Sequence, residues 1–154
     1  MTLSEEVKKT IIHQYGIQVI VEDWGCIVDD LSKSFRWAGS KIHWSTVSGH
    51  EFRKLDGKHD DWLMQINAFI SSGAASDAIN TSSLFYYIND SSLDFAVLME
   101  TSHFYGFLGY VLNSIPQHHY FTDEEKRWCL VISSEGYIDF GYSDNHCKSF
   151  FVNS

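Results

Sequence analysis

The sequence predicts a single α+β domain, residues 1–154, in which helices pack on one face of a mostly antiparallel sheet. Helical patterns fill the first half of the chain, and a strand pair, one helix and a strand trio follow. Runs of helix and strand segregated in this way favour α+β over a parallel doubly wound fold. A chain of 154 residues can also bury a full core as one domain.

Two helices are expected near the N-terminus. Residues 2–5 fit a capping box, and apolar side chains then recur at i+4 spacing over residues 3–15 until Gly16. A second apolar stripe begins at residue 24, after an acidic pair that suits a helix start. We expect this second helix to end near Gly39.

The middle of the chain carries weaker signals. Residues 41–47 alternate enough for a brief strand, and residues 49–58 (GHEFRKLDGK) are polar with two glycines, which predicts a loop. Asp60 or Asp61 can cap a third helix that Gly73 ends. Residues 71–83 are then expected to form a connection with at most one helical turn, over residues 76–79.

The second half alternates between clear strands and a clear helix. Residues 84–88 and 93–99 predict a hairpin of two central apolar strands. Residues 104–115 keep helical spacing and end before Pro116. Three further stretches, residues 118–122, 128–133 and 137–142, predict an antiparallel meander.

The negative charge is confined to one region. No lysine or arginine occurs between Lys58 and Lys126, and nine carboxylates in that span account for the whole formal charge of −9. Such a field attracts a cationic partner. Nucleic acid and anionic membranes are bound through Lys and Arg, so neither is expected as a partner.

The cysteine count and the N-terminus indicate a cytoplasmic location. Cys26, Cys129 and Cys147 are an odd number without a C-x-x-C pairing, which favours a reducing compartment and inert, mostly buried thiols. The N-terminus lacks the charge-then-hydrophobe order of a signal peptide, and no apolar run is long enough to span a membrane.

Catalytic motifs are largely absent, so the sequence predicts a protein that is not an enzyme and needs no cofactor. It contains no nucleophile elbow, no phosphate-binding glycine loop and no H-E-x-x-H, and no catalytic or metal-binding residue is assigned. The alternative is a small metal-assisted hydrolase, in which His50 and His59 meet Asp60 or Asp61 across the polar loop.

Tyrosine and tryptophan exceed what one core of this size requires. In residues 137–142 (YIDFGY), alternation places Tyr137 and Asp139 on one face of a strand and Ile138, Phe140 and Tyr142 on the other. The second set suits a core. The first suits a protein interface, where aromatic side chains give contact area and acids steer a basic partner.

The strand–turn–strand stretch of residues 128–141 (WCLVISSEGYIDFG), in a small, acidic, aromatic-rich chain, resembles a hairpin of the immunity proteins of bacterial polymorphic toxin systems, including the contact-dependent growth inhibition type. The resemblance implies stoichiometric neutralisation of a cognate toxin domain. Nuclease toxins are usually basic, because their substrates are phosphates. An acidic inhibitor would then cover the nucleic-acid site. The resemblance assigns no role to any individual residue.

The leading hypothesis is therefore a toxin-neutralising protein that binds a cognate basic toxin domain. An adaptor role in a larger housekeeping assembly is a third possibility, and the oligomeric state is left open. The partner-binding residues that we expect are acidic and tyrosine side chains: Asp60, Asp61, Asp90, Asp94, Asp123, Glu124, Tyr137 and Asp139.

Overall fold

The computed structural model describes residues 1–39, 41–89 and 92–143. The helices of these described residues are α1 (Leu3–Tyr15), α2 (Trp24–Ser34), α3 (Trp62–Ser72), α4 (Ala74–Thr81) and α5 (Phe104–Ser114). The strands are β1 (Ile20–Val21), β2 (Trp37–Ala38), β3 (Lys41–Ile42), β4 (Ser48–Lys54), β5 (Leu84–Asn89), β6 (Ala96–Glu100), β7 (His119–Asp123), β8 (Trp128–Ile132) and β9 (Tyr137–Tyr142).

Seven of these strands form one antiparallel sheet in the order β1-β6-β5-β7-β8-β9-β4, and β2 pairs with β3 as a separate hairpin. The predicted α+β class is confirmed, with helices α1, α3, α4 and α5 on one face of the sheet. Their apolar residues join the sheet's inward residues in one large core. We call this helix-covered side, which carries Phe85, Tyr87 and Phe121, the first face.

The opposite side, the second face, carries Ile88, Tyr120, Cys129 and Val131. Helix α2 packs there through Ile27 and Leu31, together with the β2–β3 hairpin. The strands therefore have apolar residues on both faces, which explains why β8 is buried along its whole length. Covering by one helix and a two-stranded hairpin leaves part of the second face open.

The N-terminal helix has the predicted bounds. The hydroxyl of Thr2 accepts a hydrogen bond from the backbone N–H of Glu5 at 3.2 Å, and the Glu5 carboxylate accepts one from the N–H of Thr2 at 3.4 Å. Helix α2 is shorter than predicted, since it ends at Ser34 and not near Gly39. The residues beyond it turn into the β2–β3 hairpin.

The prediction of a loop over residues 49–58 is wrong for its first half, because Ser48–Lys54 is strand β4. β4 lies at the edge of the sheet and pairs only with β9 among the described strands. Most of its side chains face water, so it lacks the alternation of a half-buried strand. The predicted strand over residues 41–47 reduces to β3 and a 3-10 turn, Trp44–Thr46.

The predicted connection over residues 71–83 contains a full helix, α4, in place of a single turn. A carboxylate oxygen of Glu51, on β4, accepts a hydrogen bond from the N–H of Ala74 at 3.2 Å. This cap comes from a residue 23 positions away in sequence, so local patterning could not reveal it. Helix α3, helix α5 and the β7–β8–β9 meander occur where they were predicted. The β5–β6 hairpin is also present, but β6 begins at Ala96 and not at residue 93.

The sheet has two ends that matter for the site. At the turn end lie Lys54, Asn89, His119, Ile132 and Tyr137, beside the β5–β6 loop and the β8–β9 turn. At the opposite end, which we call the Asp123 end, lie Ser48, Leu84, Glu100, Asp123 and Trp128. Charged side chains cluster around both ends.

Candidate functional site

A cleft of about 570 Å³, including its open mouth, lies on the second face at the turn end. Its floor is apolar and comes from Tyr120 of β7, Val131 of β8 and Ile42 of β3. Trp44 and Tyr137 line it as well. The cleft exists because the β2–β3 hairpin and the following 3-10 turn cover only part of strands β7, β8 and β9.

The side chains of strand β9 alternate between the two faces, as predicted, and two of them line the cleft. Ile138 and Phe140 are fully buried in the first-face core, whereas Tyr137 is exposed and Asp139 is partly buried on the second face. Gly141 continues the second-face row. A Cβ atom at Gly141 would clash with Cγ1 of Val47 and lie 3.3 Å from the Trp44 ring, so glycine lets the 3-10 turn pack against β9.

Three aromatic rings stack beside the cleft. The His50 ring lies between Trp44, with centroids 4.9 Å apart, and Phe52, with centroids 5.7 Å apart, and both pairs are nearly parallel. His50 Nε2 forms a hydrogen bond with Oδ1 of Asp139 at 2.7 Å. The stack therefore fixes the position of His50, and His50 in turn holds the Asp139 carboxylate.

The Asp139 carboxylate is partly withdrawn from water. Desolvation raises its pKa above the usual aspartate range, and this effect outweighs the opposing influence of the His50 hydrogen bond and of the electrostatic interactions with His50 and Lys41. The Asp139 side chain is only 16% exposed. Asp139 is thus a partly buried anion that lacks full electrostatic compensation.

An ion pair marks the rim of the cleft. Lys41 Nζ donates to a carboxylate oxygen of Glu135 at 2.6 Å, and both side chains are more than half exposed. The hydrogen bond from Lys41 lowers the pKa of Glu135. Exposed pairs of this kind contribute little to stability, so the pair can rearrange when another charge approaches. His118 and Ser133 complete the polar lining.

Two of the predicted partner-binding residues, Tyr137 and Asp139, line this cleft. Asp60 and Asp61 are exposed in the 3-10 turn that precedes α3, and Oδ2 of Asp61 accepts a hydrogen bond from the N–H of Lys58 at 3.2 Å. The adjacent Trp62 packs close to Gly136 of the β8–β9 turn. The 3-10 turn therefore lies at the turn end as well.

Asp94 also belongs to the turn end, but several strands away from the cleft. It is exposed in the β5–β6 loop, and its carboxylate accepts a hydrogen bond from the Ser4 hydroxyl of α1 at 2.6 Å. Asp90, in the same loop, lies outside the described residues.

Asp123 and Glu124 lie at the opposite end of the sheet. Asp123 is only 1% exposed, and its carboxylate accepts hydrogen bonds from the N–H and Nε of Arg127 at 2.7 and 2.6 Å. It organises the β7–β8 turn. The sequence interpretation assumed an exposed carboxylate at this position, and that assumption is wrong. Glu124 is exposed there. Those of the predicted acidic residues that the structure describes are thus divided between two ends of the sheet and do not form one surface.

The residues of the hydrolase alternative do not converge. His50 bonds to Asp139 on the second face, whereas the His59 ring contacts that of Trp62, with centroids 4.8 Å apart and planes tilted by 49°. In the described part of the chain, no group of three or more His, Cys, Asp or Glu side chains could hold a metal ion. The geometry of the described residues gives this alternative no support.

The described cysteines differ in burial. Cys129 is fully buried, and desolvation raises its pKa, as expected for an inert thiol. Cys26 is exposed, which corrects the expectation of a core residue, because it lies off the apolar stripe of α2. Its Sγ donates to Asp23 at 3.2 Å, which raises the pKa and disfavours the reactive thiolate. Cys147 lies outside the described residues.

Sequence reasoning missed most of the cleft. Lys41, Trp44 and Glu135 of the cleft, and His50 and Phe52 beside it, were not among the predicted partner-binding residues. The pairing of β4 with β9 places His50 and Phe52 next to Asp139. One local signal existed, since Phe52 is a large apolar residue in an otherwise polar stretch and is 64% exposed.

The chain matches no known family model, and no curated protein is found to be similar to it. Within the described residues, no helix combines the length and the apolar character that crossing a membrane requires.

Proposed function

We propose that the chain is a toxin-neutralising immunity protein that acts in the cytoplasm of the cell that makes it. It binds a cognate basic toxin domain, with a nuclease as the expected class, and blocks its activity. The observation that carries the proposal is the partly uncovered second face at the turn end, where exposed aromatic rings lie beside carboxylates.

The aromatic side chains there have the properties of interface residues. Phe52 and Tyr137 are 64% and 40% exposed, and each belongs to a regular strand that fixes its backbone. Rigid aromatic side chains bury large areas on binding at a small entropic cost, and they are frequent among residues that dominate binding energy.

Carboxylates lie at the same end of the sheet as these rings. Asp139 lies in the cleft and Glu135 at its rim, and Asp60 and Asp61 are exposed in the 3-10 turn that leads into helix α3 on the first face. Negative side chains around an aromatic patch favour the approach of a basic protein and disfavour nucleic acid. The acids at the Asp123 end lie at the opposite end of the strands and add long-range attraction.

Charge reversal separates contact from long-range attraction. The turn-end variant carries Asp60→Lys, Asp61→Lys and Glu135→Lys, and the matched control carries Glu100→Lys, Glu124→Lys and Glu125→Lys. Both change the net charge equally at exposed positions. Affinity for the basic protein encoded beside this gene is measured by calorimetry, and protection by growth of cells that express the toxin.

The turn-end variant should lose protection and weaken binding by about a hundredfold, because contacting charges contribute through the dissociation rate. The control should change affinity by less than about tenfold, mainly through the association rate. A larger loss in the control would place the interface at the Asp123 end. Equal losses would also refute the turn end as the specific contact. Absence of any basic partner that this protein binds would refute the proposal.

A further inference from the structure

We infer that the cleft on the second face receives a guanidinium group, supplied by an arginine side chain of the partner, with Asp139 as its counter-charge and the rings of Trp44, Tyr120 and Tyr137 around it. That a partner protein supplies this guanidinium rests on the proposed function. The preference of the cleft for a guanidinium is argued from the cleft alone.

The shape and lining of the cleft fit a side chain with an apolar stem and a cationic head. Ile42 and Val131 offer apolar surface, against which the methylene groups of such a stem can pack. Three aromatic rings line the same space, and ring faces attract cations through their quadrupoles. An apolar ligand would leave the carboxylate of Asp139 with His50 as its one side-chain partner among the described residues.

Asp139 needs a cation more than an exposed aspartate does. Among the described residues, the side chain of Asp139 forms one hydrogen bond, between Oδ1 and His50, and it is largely buried. Because the stack of Trp44, His50 and Phe52 holds His50, the carboxylate is fixed before any ligand arrives. A preorganised, partly desolvated anion forms stronger charge-assisted hydrogen bonds than a mobile, hydrated one.

A guanidinium fits better than an ammonium. Its planar fork can donate two hydrogen bonds in one direction and can stack on an aromatic ring at the same time. An ammonium is more strongly hydrated and loses more on entering an apolar space. An anionic ligand would meet the two carboxylates of Asp139 and Glu135 against the single lysine charge of Lys41, so the lining disfavours it.

Lys41 is the lysine that lines the cleft itself, and it competes with the incoming group. It is held by Glu135 at the rim, where both side chains are more than half exposed, and it does not form an ion pair with Asp139. Removing the Lys41 charge should therefore raise the affinity of the cleft for a guanidinium. This outcome would not follow if Lys41 served only to support the fold.

The test titrates Nα-acetyl-L-arginine amide into the full chain and follows backbone and indole N–H signals by NMR. Nα-acetyl-L-lysine amide and Nα-acetyl-L-citrulline amide serve as controls, since citrulline keeps the shape of arginine without its charge. The arginine compound should shift the signals of Trp44, Tyr137 and Asp139. It should bind more tightly than the lysine compound, and the citrulline compound should bind about tenfold more weakly than arginine.

Variants locate the interaction. Asp139→Asn should weaken arginine binding by about tenfold, and Lys41→Met should strengthen it by about two- to fivefold. Tyr137→Ala, at an exposed position that leaves the core intact, gives an independent loss of affinity. Glu124→Gln, at the Asp123 end, should leave binding unchanged. Each variant is first checked for a native spectrum.

The inference is overturned if the arginine compound shifts no cleft signal, if citrulline binds equally well, or if Lys41→Met weakens binding. These results are separable from the proposed function. A basic partner that binds normally to Asp139→Asn and Tyr137→Ala would refute the arginine subsite and leave the inhibitor proposal standing. Arginine binding in the cleft without any basic protein partner would do the reverse.

Discussion

The two faces of the sheet are built from the same strands but differ in how fully they are covered. The first face is covered by four helices and is apolar throughout its centre, with Phe85, Phe104, Phe107 and Phe121 fully buried. The second face is covered by one helix and a short hairpin, and its uncovered part carries Asp139, Tyr137 and the His50 stack. The stabilising core and the proposed recognition surface therefore lie on opposite sides of one sheet.

The largest effect should come from emptying the first face. Phe107 is fully buried and contacts the rings of Phe85 and Tyr87 at centroid distances of 6.0 and 5.3 Å. We predict that Phe107→Ala lowers the free energy of unfolding by about 3–5 kcal/mol, measured by urea denaturation. Tyr137→Ala on the second face should change it by about 0.5 kcal/mol or less. Similar losses at both positions would contradict the difference in packing between the two faces.

Overfilling the contact between β9 and the 3-10 turn should have the next largest effect. Gly141→Ala forces a methyl group against Val47 and Trp44, and we predict a loss of about 1–3 kcal/mol in thermal or urea unfolding. Gly106→Ala is the control, because that helical position has open space around it. The control should gain stability by about 0.5–1 kcal/mol. A neutral Gly141→Ala would mean that the turn does not pack closely on β9.

A pH effect should arise from the first face, where His119 is buried and bonds through Nδ1 to the Tyr87 hydroxyl at 2.7 Å. Burial lowers the pKa of His119 from 6.5 to about 4. The folded state therefore favours the neutral ring, so this contribution to stability is fully present above about pH 6.5 and is lost as the pH falls towards about 4.

At about pH 5 the loss should be about 2 kcal/mol relative to neutral pH, measured by urea unfolding at both values. His119→Gln should flatten this dependence while lowering stability at neutral pH. An unchanged pH dependence in the variant would show that another group is responsible.

The smallest of these effects concerns the Asp123 end. Asp123→Asn removes the charge that accepts two hydrogen bonds from Arg127, and we predict a loss of about 1 kcal/mol in unfolding free energy. Glu124→Gln, at an exposed neighbour, should have no measurable effect. Equal behaviour of the two variants would contradict the structural role of Asp123.

Local patterns were sufficient for most of the fold. The capping box at residues 2–5, the apolar stripes of α3 and α5, and the alternation of β9 each depend on neighbours in sequence, and each was predicted correctly. β4 failed because an edge strand exposed on both sides has no alternation to detect. α4 failed because its cap, Glu51, comes from that same unrecognised strand.

The site was predicted only in part, for a related reason. Tyr137 and Asp139 could be assigned to an exposed face from their own strand, but their neighbours Trp44, His50 and Phe52 arrive through the non-local pairing of β4 with β9. Charge counting along the chain also could not foresee that antiparallel strands send successive acids to opposite ends of the sheet. Asp123 and Asp139 illustrate this separation.

The most direct test of the account is hydrogen–deuterium exchange on the complex with the basic partner, compared with the protein alone. If the second face is the binding surface, residues 41–54 and 133–139, which contribute to the cleft, its rim and the aromatic stack, should gain protection from exchange in the complex. Protection confined to the Asp123 end, or to the helices of the first face, would contradict the claim that the second face is the binding surface.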